Sequence, residues 1–213
     1  MEQHWVIKNN NHKLAVFVLG WSCDVHSVAH LKPEGFDILC IYDYQELKNI
    51  NTDEFNHYDY KILIGWSFGV WVATQIFKDD TFNLRIAING TTHPIDDDKG
   101  IPQRVAQLTL RALELSGIEQ FNVNTYGSLY KTHPEIIPTR NIDNQIRELE
   151  KLYEMIDTMP HRDFKWDRAI IGSKDRIFPV TNQKRHWGET AIITESPHYP
   201  FFDSIILKTI FEQ

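Results

Sequence analysis

Residues 61–73 read KILIGWSFGVWVA. An apolar run, Lys61-Ile62-Leu63-Ile64, has the β-branched character of a buried strand. It leads into Gly65-Trp66-Ser67-Phe68-Gly69, and Val70-Trp71-Val72-Ala73 continues as an apolar helical stretch. This is G-x-S-x-G in the strand–turn–helix setting that gives the pattern its meaning. The turn needs glycines because neighbouring backbone comes too close for a Cβ, and it forces the serine into unfavourable backbone angles. Ser67 is thereby lifted above the sheet edge, and the N-terminal N–H groups of the next helix point at any anion formed there. A glycine-bounded tight turn is the bland reading, and partners for Ser67 elsewhere in the chain decide against it.

Outward from that turn, similar runs recur at residues 14–19 (LAVFVL), 36–41 (FDILCI), 60–64 (YKILI), 84–89 (LRIAIN), 168–171 (RAII) and 190–194 (TAIIT). Each is nearly continuous in apolar character, as strands covered on both faces are. Most intervals leave room for a crossover helix, so βαβ units and right-handed connections follow. Between residues 89 and 168 the rhythm breaks. There Ile101, Val105, Leu108, Ala112 and Leu115 fall at helical spacing, as do Ile142, Ile146, Leu149, Leu152 and Ile156. The expected architecture is α/β: a mainly parallel six-stranded sheet with helices on both faces. Residues 1–90 and 166–213 form the core of one domain, residues 91–165 form a helical lid insertion, and the chain enters almost directly at the strand of residues 14–19.

Composition narrows the function classes. The chain has 213 residues, 42% of them hydrophobic, which is ordinary for a globular protein and excludes a disordered or coiled-coil chain. Lys and Arg number 22 against 29 Asp and Glu, a net charge of −7, where a general nucleic-acid binder would be basic. Cys23 and Cys40 are too few for a disulfide framework or a four-thiolate zinc site, and two free thiols suit a reducing compartment. The first residues, MEQHWVIKNNNHK, carry no apolar signal-like stretch, and the longest apolar run is six residues against the roughly 20 needed to span a bilayer. A soluble cytoplasmic protein without nucleic-acid or membrane partners is expected.

A nucleophilic serine needs a base, and the base needs an orienting carboxylate, in the chain order serine, acid, histidine for this kind of turn. The strand at 168–171 runs into Gly172-Ser173-Lys174-Asp175, and a carboxylate just past a strand's C-terminal end is where an open α/β sheet carries its site. The strand end at Asn89-Gly90 offers no carboxylate, which favours Asp175 as the acid. His198 follows 23 residues later, on a loop after the last strand, and is the expected base. The oxyanion donors should be the backbone N–H of Phe68 and one from Gly20-Trp21-Ser22-Cys23, best that of Trp21. No metal or organic cofactor is called for.

These residues resemble the α/β-hydrolase superfamily and, more narrowly, the BioG family of short pimeloyl-acyl-carrier-protein methyl ester esterases of biotin synthesis. The resemblance rests on Gly20-Trp21, Tyr42-Asp43-Tyr44, Trp66-Ser67-Phe68-Gly69-Val70-Trp71, Ile88-Asn89-Gly90-Thr91, Pro94-Ile95-Asp96-Asp97, Gly100-Ile101-Pro102 and His198-Tyr199-Pro200-Phe201. It implies hydrolysis of the methyl ester of a pimeloyl chain held by acyl carrier protein, with Ser67 as nucleophile, His198 as base and Asp175 as its partner. Many relatives have His-Gly before the oxyanion residue where this chain has Leu19-Gly20, so the backbone donor is kept and a bracing side chain is lost.

Other clusters weigh less. His26 and His30 lack a third ligand, Asp96-Asp97-Asp98 reads as a solvated loop, and no glycine-rich phosphate loop is present. Trp66, Trp71, Phe201 and Phe202 flank the site and are candidates for an acyl pocket. A docked carrier protein calls for a basic rim, for which Arg104, Arg111, Arg147 and Lys151 are candidates, although residues 91–165 hold nine Lys and Arg against twelve Asp and Glu. Two rivals stay open: another serine hydrolase, such as a thioesterase or short-chain esterase, and a non-catalytic binding protein on the same fold.

Overall fold

The computed structural model describes residues 1–212. Its elements in chain order are β1 (Glu2–Ile7), β2 (Lys13–Val18), β3 (Phe36–Tyr42), β4 (Tyr60–Trp66), α1 (Phe68–Ile76), β5 (Leu84–Ile88), α2 (Gln103–Ser116), α3 (Glu119–Tyr126), α4 (Leu129–Thr132), α5 (Ile142–Thr158), β6 (Arg168–Gly172), α6 (Val180–Trp187), β7 (Ile192–Thr194) and α7 (Ser204–Phe211). The strands form one sheet ordered β1-β3-β2-β4-β5-β6-β7. From β3 to β7 every neighbouring pair is parallel. The sheet has seven strands where six were expected. The additional one is β1, an antiparallel edge strand on β3, so the chain does not enter at β2. Its sequence, EQHWVI, mixes polar and apolar residues because it lies at the edge with no residue fully buried, so it lacks the continuous apolar signature of the others.

Strand periodicity sorts the core into two layers. On β4, Leu63 joins a cluster with Trp71, Val72 and Ala73 of α1, while Ile62, Ile64 and Trp66 point through the sheet to a cluster with Phe201 and with Ile206 and Ile210 of α7. The chain passes from β2 to β3 on one side and returns past β2 to β4 on the other. Ligands of open α/β sheets bind at such a reversal, above the C-terminal strand ends.

Between β5 and β6 the chain forms α2 to α5. Asn141 opens α5 by accepting the Asp143 N–H at 2.8 Å, and Leu149 and Leu152 bury its apolar stripe. Helix α2 follows Pro102 and stops at Gly117, whose φ of +73° only glycine adopts without strain. Its packing departs from the amphipathic expectation. Ala106 and Leu113 face the core, whereas Val105, Leu108 and Leu115 are 46%, 53% and 86% exposed. Helical spacing identifies a stripe but not whether a neighbour covers it. Among the described residues no helix is long and apolar enough to cross a membrane.

Candidate active site

The turn from β4 into α1 places Ser67 at φ +60°, ψ −130°, a conformation that costs a non-glycine residue about 1–3 kcal/mol. Two contacts hold it there. The Ser67 N–H donates to the Ile88 carbonyl at 3.0 Å, and α1 is seated so close to β2 that a Cβ on Gly69 would lie 2.0 Å from the Val18 carbonyl oxygen. The serine is therefore held by sheet and helix together, and its Oγ is aimed away from both.

Opposite Ser67, the loop after β7 brings His198 Nε2 within 3.0 Å of the Ser67 Oγ. The other ring nitrogen, Nδ1, lies 3.0 Å from both carboxylate oxygens of Asp175, in the turn after β6. Asp175 Oδ1 also accepts the N–H groups of Ile177 at 2.8 Å and Phe178 at 3.0 Å, and Oδ2 accepts Gln183 Nε2 at 3.0 Å. A carboxylate surrounded by donors only accepts, so the His198 proton sits on Nδ1 and Nε2 is left as the acceptor facing the serine. All three side chains are buried. The Phe178 ring lies parallel to the imidazole, 6.0 Å away between ring centroids.

His198 is held from behind as well. Its carbonyl accepts Trp66 Nε1 and Asn89 Nδ2, both at 2.8 Å, and Asn89 Nδ2 also reaches the Pro197 carbonyl at 3.0 Å. On its other side Asn89 Oδ1 accepts the Gly172 N–H at 2.7 Å, so one fully buried side chain ties β5, β6 and the histidine loop. Asn89 has φ +48°, which asparagine tolerates better than most residues. The sequence shows Asn89 only as the strand end without a carboxylate; an Asn-Gly pair at the C-terminal end of a core strand is the signal for its role. Replacing Asn89 by alanine strands buried groups and loosens the loop. The expected outcome is a drop in kcat of about 10²-fold in steady-state ester hydrolysis, since small misplacements of reacting groups have effects of that size.

The loop after β2 completes the site. Gly20 lies against Ser67: a Cβ there would stand 3.0 Å from Ser67 Cβ and 3.4 Å from its Oγ. The backbone N–H groups of Trp21 and Phe68 donate to no acceptor among the described residues. Cys23, two residues on, is no competing nucleophile. Burial pushes its thiol up to about 12, so it carries no thiolate at neutral pH.

A profile of the family described as "Pimeloyl-ACP methyl esterase BioG" matches residues 1–206. The chain belongs to the BioG family. A crystal structure of BioG from Haemophilus influenzae matches with a TM-score of 0.86 at 29% identity, covering 99% of this chain and 100% of that one. An uncharacterized protein of Haemophilus influenzae is 33% identical over 193 residues, 88% of this chain and 89% of that protein. A malonyl-[acyl-carrier protein] O-methyltransferase of Bacteroides fragilis is 32% identical over 197 residues, 91% of this chain but 40% of that protein. The chain thus spans less than half of that relative. The fold is that of the α/β-hydrolases.

In this BioG-family chain the cleft beside the Ser67 turn is a cavity of about 140 Å³ lined by Trp21, Phe68, Val105, Phe121, Leu149 and Tyr153, with Thr109, Asn124 and Arg176 among its polar lining. Aromatics named as pocket candidates lie elsewhere. Trp66 and Phe201 are fully buried together, 5.4 Å apart between ring centroids, on the opposite face of the sheet, to which the alternation of side chains along β4 sends Trp66. Trp71 packs in the core under α1, and Phe202 lies 40% exposed, stacked on His30 at 4.6 Å. The cleft is instead lined by the insertion, whose contacts a linear pattern does not reveal. His26 bonds Asp24 and His30 bonds the Phe201 carbonyl. Asp96 and Asp97 accept backbone N–H groups around the start of α2, and Asp98 pairs with Arg185. Arg104, Arg111, Arg147 and Lys151 are all exposed on α2 and α5, and Lys151 pairs with Glu154 at 2.6 Å.

Proposed function

We propose that the chain is a serine carboxylesterase that hydrolyses the methyl ester of a pimeloyl chain carried by acyl carrier protein, in biotin synthesis. The observation that carries this is the unbroken hydrogen-bonded line from Ser67 Oγ through His198 to Asp175, in a chain of the BioG family. His198 Nε2 takes the Ser67 proton as Oγ attacks the ester carbonyl, and the N–H groups of Trp21 and Phe68 receive the developing oxyanion. On collapse, His198 returns the proton to the methoxy oxygen and methanol leaves. Water, deprotonated by the same histidine, then attacks the acyl-enzyme, and the carboxylic acid departs as Ser67 recovers its proton. Asp175 holds the imidazole in the tautomer that can accept and stabilises its charged form. A fluorophosphonate probe tests the reading: it should attach to Ser67 of the folded protein and stop ester turnover, and folded, unlabelled protein would refute it.

We read residues 91–165 as the lid, with 1–90 and 166–213 as the core of one domain. On α2, Arg104 and Arg111 flank the exposed Leu108 and Leu115, which gives an acidic carrier protein both charge and apolar contact. Val105 belongs to that face and to the cleft wall, which links the docking face to the nucleophile. Arg147 and Lys151 extend the cationic face on α5. Arg104→Glu combined with Arg111→Glu is expected to lower kcat/KM for the carrier-bound ester about 10–100-fold while a small free ester is cleaved as before. Equal loss on both substrates would remove these residues from docking.

A further inference from the structure

Glu148 of α5 is fully buried, and the steps above make no use of it. Its Oε2 accepts the Ser22 N–H at 3.3 Å and Arg140 Nη1 at 2.6 Å, and its Oε1 accepts the Tyr44 N–H at 2.9 Å. Ser22 follows Trp21 directly and sits at φ +69°, while Asp43 before Tyr44 sits at φ +58°. Two backbone turns in an unfavourable conformation, one after β2 and one after β3, are thus pinned to a single carboxylate. Arg140 closes the arrangement by reaching the Cys23 carbonyl at 3.1 Å and Asp43 Oδ1 at 3.0 Å. A turn further up the same helix, Gln145 accepts Trp21 Nε1 at its carbonyl, at 2.7 Å, and its side-chain amide donates to the Ser22 carbonyl at 3.4 Å.

We propose that Glu148, held by Arg140, is a positioning residue that fixes the loop carrying the Trp21 N–H, so that the oxyanion donor stands in place before the ester arrives. This rests on the esterase reading of Ser67. Preorganised donors stabilise a transition state because no reorganisation is needed at the moment of reaction. Among the described residues Gly20 and Trp21 make no backbone–backbone hydrogen bond; the Trp21 ring packs on Phe121 of α3, 4.6 Å between centroids, and the polar anchors of residues 21–23 on the insertion come from α5 and from Arg140, two residues before it. Helix α5 is therefore tied directly to the loop by hydrogen bonds.

The charge state of Glu148 follows from its surroundings. Every partner of the carboxylate is a donor, and the groups around it are Arg140, Tyr44, Asp43 and Cys23. Burial pushes Glu148 up to about 7, with Arg140 and the Tyr44 N–H opposing. A proton on Glu148 has no acceptor and must displace a donor, so acidification loosens the loop.

The test compares wild type with Glu148→Gln and Glu148→Ala by amide hydrogen exchange and by the kinetics of a short-chain ester. In Glu148→Ala the amides of residues 20–24 should exchange faster, and kcat should fall about 10²-fold with KM little changed, the size seen when an oxyanion donor is lost. Glu148→Gln keeps the shape but only one acceptor oxygen. It should lose about tenfold in kcat, and the acid side of its pH profile should lose the titrating group that Glu148 supplies. It also serves if the alanine variant does not fold. Unchanged exchange at residues 20–24, or a loss confined to KM, overturns the proposal. Wild-type protein that folds but turns over no ester refutes the esterase reading instead, and the exchange measurement still decides whether Glu148 holds the loop.

Discussion

Ser67→Ala is expected to lower ester turnover on the order of 10⁴- to 10⁶-fold, the range found when the nucleophile of a hydrogen-bonded triad is removed, with the protein still folded. The hydroxyl contributes little to the fold. Among the described residues its only polar partner is His198 Nε2, and the residue is fixed through its backbone, which alanine keeps. The backbone supplies a second readout. Alanine at φ +60° retains the strain of serine, whereas glycine does not. Ser67→Gly should therefore be equally inactive but more stable than Ser67→Ala by on the order of 1 kcal/mol, measured by thermal or urea unfolding. Strain kept at an inactive-when-mutated position is what a nucleophile turn predicts. An ordinary glycine-bounded turn with the same φ predicts the difference in stability but not the loss of turnover.

Asp175→Asn is expected to reduce kcat about 10⁴-fold with a small effect on KM. Two backbone N–H groups, from Ile177 and Phe178, point at Oδ1, so the asparagine must turn its oxygen there and its NH₂ toward His198 Nδ1 and Gln183 Nε2. His198 Nδ1 then becomes an acceptor, its proton moves to Nε2, and the nitrogen facing Ser67 no longer takes a proton. Gln183 adds to the effect. Its Oε1 has no partner among the described residues, and turning the amide to meet the new NH₂ would sacrifice the bond from Nε2 to the Phe178 carbonyl. Steady-state kinetics on a small ester checks this. A variant within about tenfold of wild type would show that Asp175 does not set the tautomer.

Sequence patterns located Ser67, Asp175 and His198 because each lies at a strand end, and strand ends are marked by apolar runs that stop at glycine or a polar residue. The structure brings the three together as that order implies. Other features left weaker marks. Strand β1 is half polar because one edge and much of both faces meet solvent. Trp66 was drawn to the pocket by its place beside Ser67, yet the alternation of side chains across a strand sends it to the far layer. Val105, Leu108 and Leu115 form a helical stripe that the sheet does not cover. Asn89 and Glu148 hold backbone groups 80 or more residues away in sequence, at Gly172, His198, Ser22 and Tyr44, and such pairings have no local signature.

The intact mass of a carrier protein loaded with pimeloyl methyl ester, before and after incubation with the wild-type chain, tests the central claim most directly. The carrier should become lighter by one methylene unit, with one methanol released per carrier, and Ser67→Ala should leave it unchanged. A carrier that loses its whole acyl group through thioester cleavage, or keeps its mass while Ser67 is labelled by fluorophosphonate, would contradict it.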